Sequence, residues 1–220
     1  MAENENTNSE RSVPDPVLNR IPLYLRIAED LQGRGVETVS SRKLAQALGL
    51  TDGQVRADLV FFGAFGRPGV GYQTQHLVTE LRRVVGIDRA QPVVLIGFGS
   101  IGRALTMYEG FEKRAFEIVA VFDRDPEKIG RPAGKCVVKD VSTLPEEVAR
   151  LGVSMAILAV PAEAAQRLAD QLADAGVTGL MNFAPAALKL PDHVAVMNVD
   201  LMLTLERLSL RMKVANRLKR

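Results

Sequence analysis

Three glycines and one aspartate form the first pattern with a chemical meaning. Gly97-Phe98-Gly99-Ser100-Ile101-Gly102 follows an apolar, strand-like run at 92–97. In such a G-x-G-x-x-G turn, the first glycine permits a tight turn, the second lets a pyrophosphate approach the backbone, and the third lets the helix pack on the strand. Asp123 ends the next apolar strand, 21 residues after Gly102, where a carboxylate can bind ribose hydroxyls. These residues predict a dinucleotide-binding unit.

Asp123 also indicates which dinucleotide is bound. Its carboxylate would repel a 2′-phosphate, so NAD(H) is favoured over NADP(H), although Arg124 lies beside it. Further apolar strands at 153–160 and 177–183 should end at the same ligand edge of a parallel sheet. An apolar pocket with Phe183 would favour a neutral dihydronicotinamide over its cation, unless Phe183 is only a core aromatic. The remaining cofactor-binding residues expected at this edge are Val160, Pro161, Asn182, Ala184 and Pro185.

Short capped helices in the first third of the chain form a second pattern, typical of a helix-turn-helix. Ser40 and Ser41 precede a helix that stops at Gly49, and Thr51-Asp52-Gly53-Gln54 matches a capping box opening a helix through about Phe62. Gln and Arg near the start of that second helix can pair with adenine and guanine. The glycine-rich segment 63–72 suits a tight hairpin, or wing, with Arg67 at its tip. Predicted DNA contacts are Ser41, Arg42, Lys43, Gln54, Arg56 and Arg67; the alternative is a protein-contact module with solvated arginines.

The helices and strands that must position these residues group into separate domains along the chain. An apolar helical period from Pro16 to Leu31 precedes the helix-turn-helix, and an amphipathic helix at 73–85 follows the wing. Helices through Met107, at 142–150 and at 162–175 alternate with the strands, which predicts an α/β fold with a doubly wound parallel sheet. A final helix is rich in leucine and in basic residues. The predicted domains are a disordered tail at 1–13, a winged helix at 14–85, a Rossmann-type domain at 86–199 and a C-terminal helix at 200–220.

Composition narrows the class of protein. Of 220 residues, 47% are apolar and 25% charged, which is typical of a globular chain. A single cysteine and two distant histidines predict neither a disulfide framework nor a metal site, and the lack of a membrane span or basic leader predicts a cytoplasmic protein. Because the Rossmann unit uses almost everything from 92 to 200, no catalytic residue is expected, and a sensor is favoured over an enzyme. The net charge of +2 conceals +3 at 11–85, −3 at 86–200 and +5 at 201–220.

Nearly the whole chain, from about Pro14, resembles the Rex family of bacterial redox-sensing transcriptional repressors. The resemblance implies a homodimer with a winged helix, an NAD(H)-binding Rossmann domain and a C-terminal helix exchanged between subunits. It also implies release of operator DNA when NADH rises relative to NAD⁺, with Arg26, Tyr108 and Asp200 as switch residues. Asp200 would pair with Arg26 in one arrangement and Tyr108 in the other; the alternatives are a solvated Arg26 and a helix-capping Asp200. The segments that carry the resemblance are Ile21-Pro22-Leu23-Tyr24-Leu25-Arg26, Val55-Arg56-Ala57-Asp58-Leu59, Phe62-Gly63, Gly69-Val70-Gly71-Tyr72, the glycine loop, Tyr108-Glu109-Gly110-Phe111, Phe122-Asp123, Asp125-Pro126-Glu127-Lys128, Asn182-Phe183-Ala184-Pro185 and Asn198-Val199-Asp200.

Three sites depart from the usual family pattern. Ala57 stands where a lysine is common, Val60 where a serine is common, and Arg67-Pro68 where the basic residues of the wing usually have a different order. The operator sequence and the affinity are therefore left open. Two other classes of protein also stay open. A small NADH-dependent reductase would turn over a carbonyl substrate. A coenzyme A binding module of a ligase would share the glycine turn but lack a winged helix.

Overall fold

In a computed structural model of the chain, the structure describes residues 13–63, 65–67 and 69–217. Apart from Val13, the predicted N-terminal tail lies outside these residues. The chain forms two compact units, one ending at Arg89 and the other beginning at Ala90.

The first unit is mainly helical. Its buried core includes Tyr24, Leu44, Leu59 and Leu77, one from each of its four helices. A two-stranded antiparallel sheet pairs Val39 with Tyr72. The elements are α1 (Asp15–Gly33), β1 (Thr38–Val39), α2 (Ser41–Leu48), α3 (Asp52–Val60), β2 (Tyr72–Gln73) and α4 (Thr74–Val85).

Local capping explains why α2 and α3 begin where they do. The Ser40 hydroxyl accepts a hydrogen bond from the Lys43 amide, and the Thr51 hydroxyl accepts one from the Gln54 amide, both at 3.2 Å. Gly49 ends α2 in the left-handed conformation, with φ 67°. Helix α3 ends at Val60, two residues before the expected end, because the chain turns at Phe61 and Phe62.

The wing is shorter than the sequence predicts, and the expected position of Arg67 is wrong. Arg67 pairs with Gly71 in an antiparallel bridge, so it lies at the base of the turn. The described residues at the tip are Gly69 and Val70. Tyr72 then pairs with Val39 of β1. The glycines permit a tight turn but do not specify which residue occupies its tip.

The second unit contains a seven-stranded sheet in the order β5-β6-β4-β3-β7-β8-β9, where only the β5–β6 pair is antiparallel. The six parallel strands have the Rossmann order, 3-2-1-4-5-6. The predicted doubly wound sheet is therefore confirmed, with β5, β6 and β9 as strands that the sequence did not reveal. The strands are β3 (Gln91–Ile96), β4 (Phe116–Asp123), β5 (Pro132–Ala133), β6 (Cys136–Asp140), β7 (Met155–Leu158), β8 (Gly179–Asn182) and β9 (Ala195–Asn198).

Alternate strand residues pack on opposite faces of this sheet. Val94 and Ile96 join the core under α7 and α8, whereas Val93 and Leu95 join Phe98 and Leu105 on the other face. The helices of this unit are α5 (Ser100–Thr106), α6 (Gly110–Lys113), α7 (Leu144–Leu151), α8 (Ala162–Asp174) and α9 (Leu201–Arg217), with a 3₁₀ turn at Val141–Thr143.

Helix α9 begins one residue later than expected, because Asp200 is its N-cap: the Asp200 carboxylate accepts a 2.8 Å hydrogen bond from the Leu203 amide. The expected end of the helix, 218–220, lies outside the described residues. Every α9 side chain from 201 to 216 is exposed, including Leu205, Leu208 and Leu210. On the sheet, Met197 lies beside Met181 in the β8–β9 register and is 66% exposed. Apolar surface is thus left uncovered in the described chain.

Candidate functional site

The glycine loop sits where the sheet order reverses, between β3 and β7. Gly97 adopts φ 98°, and a Cβ there would lie 2.2 Å from the Ala159 carbonyl oxygen after β7. A Cβ on Gly102 would lie 2.0 Å from the Gly97 carbonyl oxygen, so only glycine lets α5 pack this closely on the loop. Gly99 differs, because nothing lies within 4 Å of a Cβ placed on it. The tight turn and close helix packing are therefore present, and open space lies above the middle glycine.

Asp123 ties the glycine loop to the end of β4. Its carboxylate accepts hydrogen bonds from the amides of Phe98, at 2.6 Å, and Asp125, at 2.9 Å. The Lys128 ammonium lies 3.3 Å from the same carboxylate. Burial opposes ionisation of Asp123, but the two amides and Lys128 outweigh it and hold its pKa below the usual range. The side chain is thus a buried anion that shapes the loop. Whether it also binds ribose stays a prediction.

One cavity, of about 550 Å³, lies at the carboxyl ends of β8 and β9 and also touches Ile101. It brings together four residues expected at the ligand edge: Asn182, Phe183, Ala184 and Pro185. The sequence reasoning had not assigned its remaining lining residues to the cofactor site, although it had named Asp200 as a switch residue. These residues are Ala186, Ala187, Asn198, Val199, Asp200, Leu201, Met202 and Leu203.

Asn182 shapes this cavity through its own hydrogen bonds. Its amide nitrogen donates to the Ala186 carbonyl, at 3.0 Å, and to the Asn198 side chain, at 2.8 Å. Its amide oxygen accepts from the Ala184 backbone at 2.9 Å. Because its side chain makes these hydrogen bonds and is only 1% exposed, Asn182 orders the loop after β8. Phe183 is half-buried on the sheet face that carries Phe98.

A second cavity, of about 540 Å³, lies on the Phe98 side of the loop and is lined by basic residues that the sequence analysis did not assign to the cofactor site. Arg103, Lys128 and Arg131 line it together with Thr106 and Asp125. The two cavities lie at opposite ends of the glycine-rich turn, since Phe98 lines one and Ile101 the other. Of the other expected residues, Arg124 and Ser100 are exposed, Val160 packs beside Gly97, and Pro161 is the N-cap of α8.

In the first unit, the predicted DNA-contact residues gather around α3. Arg56 donates to the Asp52 carboxylate at 2.7 Å and to the Ser41 hydroxyl at 3.1 Å. The hydrogen bond from Arg56 lowers the pKa of Asp52. A groove of about 630 Å³ between α3 and the wing is lined by Ser41, Arg42, Arg56 and Arg67. Lys43 and Gln54 are exposed near the starts of α2 and α3.

Asp58 is a polar residue of this unit that sequence reasoning assigned no role. It lies on the buried side of α3, with 3% of its surface exposed. Arg20 reaches it from α1 with two hydrogen bonds, and the Tyr24 hydroxyl donates a third. The one sequence signal is an acidic residue among the apolar positions Val55 and Leu59.

The three predicted switch residues occupy different places. Arg26 is exposed on α1, and Asp200 caps α9, as the simpler interpretation of each residue expected. Tyr108 follows α5 with 64% of its surface exposed, and its ring meets Phe111 edge to face at 5.6 Å. Their switching role stays a prediction.

No group of three or more His, Cys, Asp or Glu side chains is placed to hold a metal ion within 13–63, 65–67 and 69–217. No helix in that part of the chain is long and apolar enough to cross a membrane.

A helix-turn-helix unit joined to a Rossmann-type sheet is the architecture of a ligand-responsive transcriptional regulator. Comparisons with known proteins agree with both parts. A family model described as a putative DNA-binding protein N-terminus matches residues 12–59, and one described as a CoA binding domain matches residues 88–186. The chain belongs to the Rex family of redox-sensing transcriptional repressors. This follows from curated relatives that align across both units.

A Rex repressor of Chloroflexus aggregans is 43% identical over 85% of this chain and 88% of its own. A Thermus thermophilus Rex repressor is 44% identical over 90% of this chain and 92% of its own. Among solved structures, RSP in complex with β-NAD⁺ and operator DNA is 36% identical, with a TM-score of 0.88 over 94% of this chain and 95% of that one. RSP in complex with β-NADH has a TM-score of 0.84 and 35% identity over 94% and 98% of the two chains.

Proposed function

We propose that this chain is a dimeric repressor that binds operator DNA through its first unit and releases it when NADH binds the Rossmann unit. The observation that carries the proposal is the match to RSP over 94% of this chain, since that repressor has been captured with NAD⁺ and operator DNA and separately with NADH. The two candidate sites described above supply the chemistry that such a switch needs.

The Rossmann unit fits a dinucleotide across the glycine loop. Gly99 leaves room for a pyrophosphate, and the first amides of a helix are free to donate to an anion. Asp123 would offer oxygens to the adenosine ribose, with the Phe98 cavity receiving the adenosine half. The Phe183 cavity would receive the nicotinamide half. Its mostly apolar lining favours the neutral dihydronicotinamide over the cation of NAD⁺.

The first unit fits double-stranded DNA. Helix α3 would enter the major groove with Gln54 and Arg56, while Arg67 approaches a neighbouring minor groove. Ser41, Arg42 and Lys43 at the start of α2 would contact phosphates. Arg56 can exchange its exposed ion pair with Asp52 for a phosphate or a guanine at little cost, because exposed ion pairs contribute little.

The exposed apolar side of α9 supports a homodimer in which this helix is exchanged between subunits. Apolar side chains such as Leu205 and Leu210 are more than half exposed in the described chain, and a helix with this much apolar surface normally packs against protein. The Met181 and Met197 face of the sheet offers a matching apolar surface for a partner's α9.

We further propose that the chain acts as a regulator and not as an enzyme. The described residues lining the Phe183 cavity include no histidine, lysine or tyrosine, the usual proton donors beside a nicotinamide.

The switch would use Asp200, which pairs with Arg26 in one arrangement and with Tyr108 in the other.

One titration tests the proposed function. A fluorescent duplex selected from a random library by the full chain is bound at fixed salt, and NADH and then NAD⁺ are added separately while anisotropy is recorded. We expect NADH to release the DNA at concentrations at which NAD⁺ does not. Release by neither nucleotide contradicts the proposal, and turnover of a carbonyl substrate with NADH would favour the reductase alternative.

The switch has its own test. Asp200→Asn keeps the N-cap of α9, since asparagine caps helices as well as aspartate does, but removes the charge. We expect this variant to bind DNA and NADH while losing most of the NADH-induced release. Unchanged release would show that the charge of Asp200 plays no part.

A further inference from the structure

Asp58 lies on α3, the helix proposed to contact DNA, but its carboxylate is buried. Its two oxygens accept a bidentate pair of hydrogen bonds from the Arg20 guanidinium, at 2.6 and 2.8 Å. The Tyr24 hydroxyl donates to the same carboxylate at 2.6 Å. Arg20 and Tyr24 are one helical turn apart on α1, so both reach Asp58 from one side of that helix. The three side chains form a clamp between α1 and α3.

The charge state of this clamp is well defined. Burial opposes ionisation of Asp58, but the hydrogen bonds from Arg20 and Tyr24 outweigh it and lower its pKa. Conversely, burial and the hydrogen bond to Asp58 raise the pKa of Tyr24. A buried ion pair adds little net stability compared with apolar packing, whereas its geometry is strict. The clamp therefore specifies an orientation more than it supplies stability.

The clamp and Arg56 lie on opposite sides of α3, whereas Gln54 lies one turn before Asp58, at the exposed start of the helix. Val55, Asp58 and Leu59 are buried, whereas Gln54 and Arg56 are exposed. Asp58 is two positions after Arg56, which is about 200° around a helix of 3.6 residues per turn. If α3 rotated by about 20°, a side chain about 5.5 Å from the axis would move by about 2 Å, enough to break a hydrogen bond.

We propose that Arg20, Asp58 and Tyr24 are positioning residues that fix the rotation of α3, so that Gln54 and Arg56 meet base edges in register. This inference rests on the proposed DNA-binding function and extends it to base discrimination. Electrostatic attraction to phosphates tolerates small rotations of α3, whereas hydrogen bonds to base edges do not. Loosening the clamp would therefore weaken the contacts with bases and leave the attraction to phosphates unchanged.

The test compares the full wild-type chain with Arg20→Lys, Tyr24→Phe and a control. Arg20→Lys keeps the positive charge but cannot form the bidentate pair. Tyr24→Phe removes one hydrogen bond and leaves the Arg20–Asp58 pair in place, so that variant tests the proposal if the other folds poorly. The control is Arg34→Lys, the same change at the C-cap of the same helix, in an exposed ion pair with Asp30. Thermal unfolding and NADH affinity report that each variant is folded.

Affinities are measured at one salt concentration for the duplex selected by wild type and for a scrambled duplex of equal length and composition. We expect the ratio of the two affinities to fall by about tenfold in both clamp variants, the size of one lost base contact, and to stay at the wild-type value in Arg34→Lys. A purely structural role would lower both affinities equally, because it changes only the folded fraction.

Two results overturn the inference, and they are distinguishable. If the wild-type chain discriminates between the duplexes and folded Tyr24→Phe and Arg20→Lys do so equally well, the clamp does not position α3. If the wild-type chain selects no duplex at all, the proposed DNA-binding function fails first, and the inference fails with it.

Discussion

Gly102→Ala and Gly99→Ala each add one methyl group to the same loop, but the first should lower stability and the second should weaken NADH binding. At Gly102, a Cβ would lie 2.0 Å from the Gly97 carbonyl oxygen, whereas real contacts of this kind stay beyond 3.0 Å. Backbone must therefore move by about 1 Å in a packed region, which costs about 3 kcal/mol. For a chain of this size, that cost lowers the midpoint of thermal unfolding by about 6–12 °C.

At Gly99, the added Cβ meets nothing within 4 Å and the backbone is in an ordinary conformation, with φ −80°. Gly99→Ala should therefore change stability by less than about 1 kcal/mol, the usual effect at a helix N-cap. The methyl group would nevertheless occupy the space through which a pyrophosphate approaches the backbone. We expect NADH affinity to fall by about tenfold or more.

Circular dichroism melts and fluorescence titrations with NADH, carried out on wild type and both variants, separate the two effects. Gly99→Ala should melt like wild type and bind poorly, and Gly102→Ala should melt early. A Gly102→Ala chain as stable as wild type would refute the packing argument. Unchanged NADH affinity in Gly99→Ala would refute the placement of the pyrophosphate.

Three further outcomes follow from the same geometry. Because the pKa of Tyr24 is raised, the folded chain keeps this phenol protonated while the unfolded chain ionises it above about pH 10, so stability falls with rising pH. Tyr24→Phe should lessen that fall in urea unfolding between about pH 8 and about pH 11; an identical decline would contradict the assignment. Arg56→Ala should weaken operator binding by about tenfold or more and, if Arg56 binds a phosphate, make the salt dependence less steep, as measured by anisotropy over a salt series. Leu208→Asp on the exposed side of α9 should shift a dimer towards monomer in sedimentation velocity, and an unaltered dimer would exclude α9 from the interface.

Features that depend on neighbours along the chain could be predicted from the sequence. The caps at Ser40 and Thr51 and the close approach at Gly97 and Gly102 each involve short stretches with strict steric or hydrogen-bonding needs. The alternation of apolar strands with helices likewise predicted the doubly wound sheet. Such signals do not require knowledge of the tertiary fold.

Features that depend on distant residues could not be predicted. Arg20 and Asp58 are 38 positions apart, and neither residue indicates the other as its partner. Strand β6 has polar residues at Lys139 and Asp140, so it does not show the apolar run of a central parallel strand. The tip of the wing was misplaced because several glycines in succession permit more than one turn.

The uncovered apolar surface of α9 has a consequence for the life of the protein after synthesis. A chain that leaves Leu205, Leu208 and Met197 exposed has not finished burying its apolar residues when its own folding ends. If a second copy completes that burial, the free energy of unfolding grows with protein concentration by mass action. Dilution would then destabilise the chain and expose aggregation-prone surface, so scarcity of the protein would itself shorten its survival.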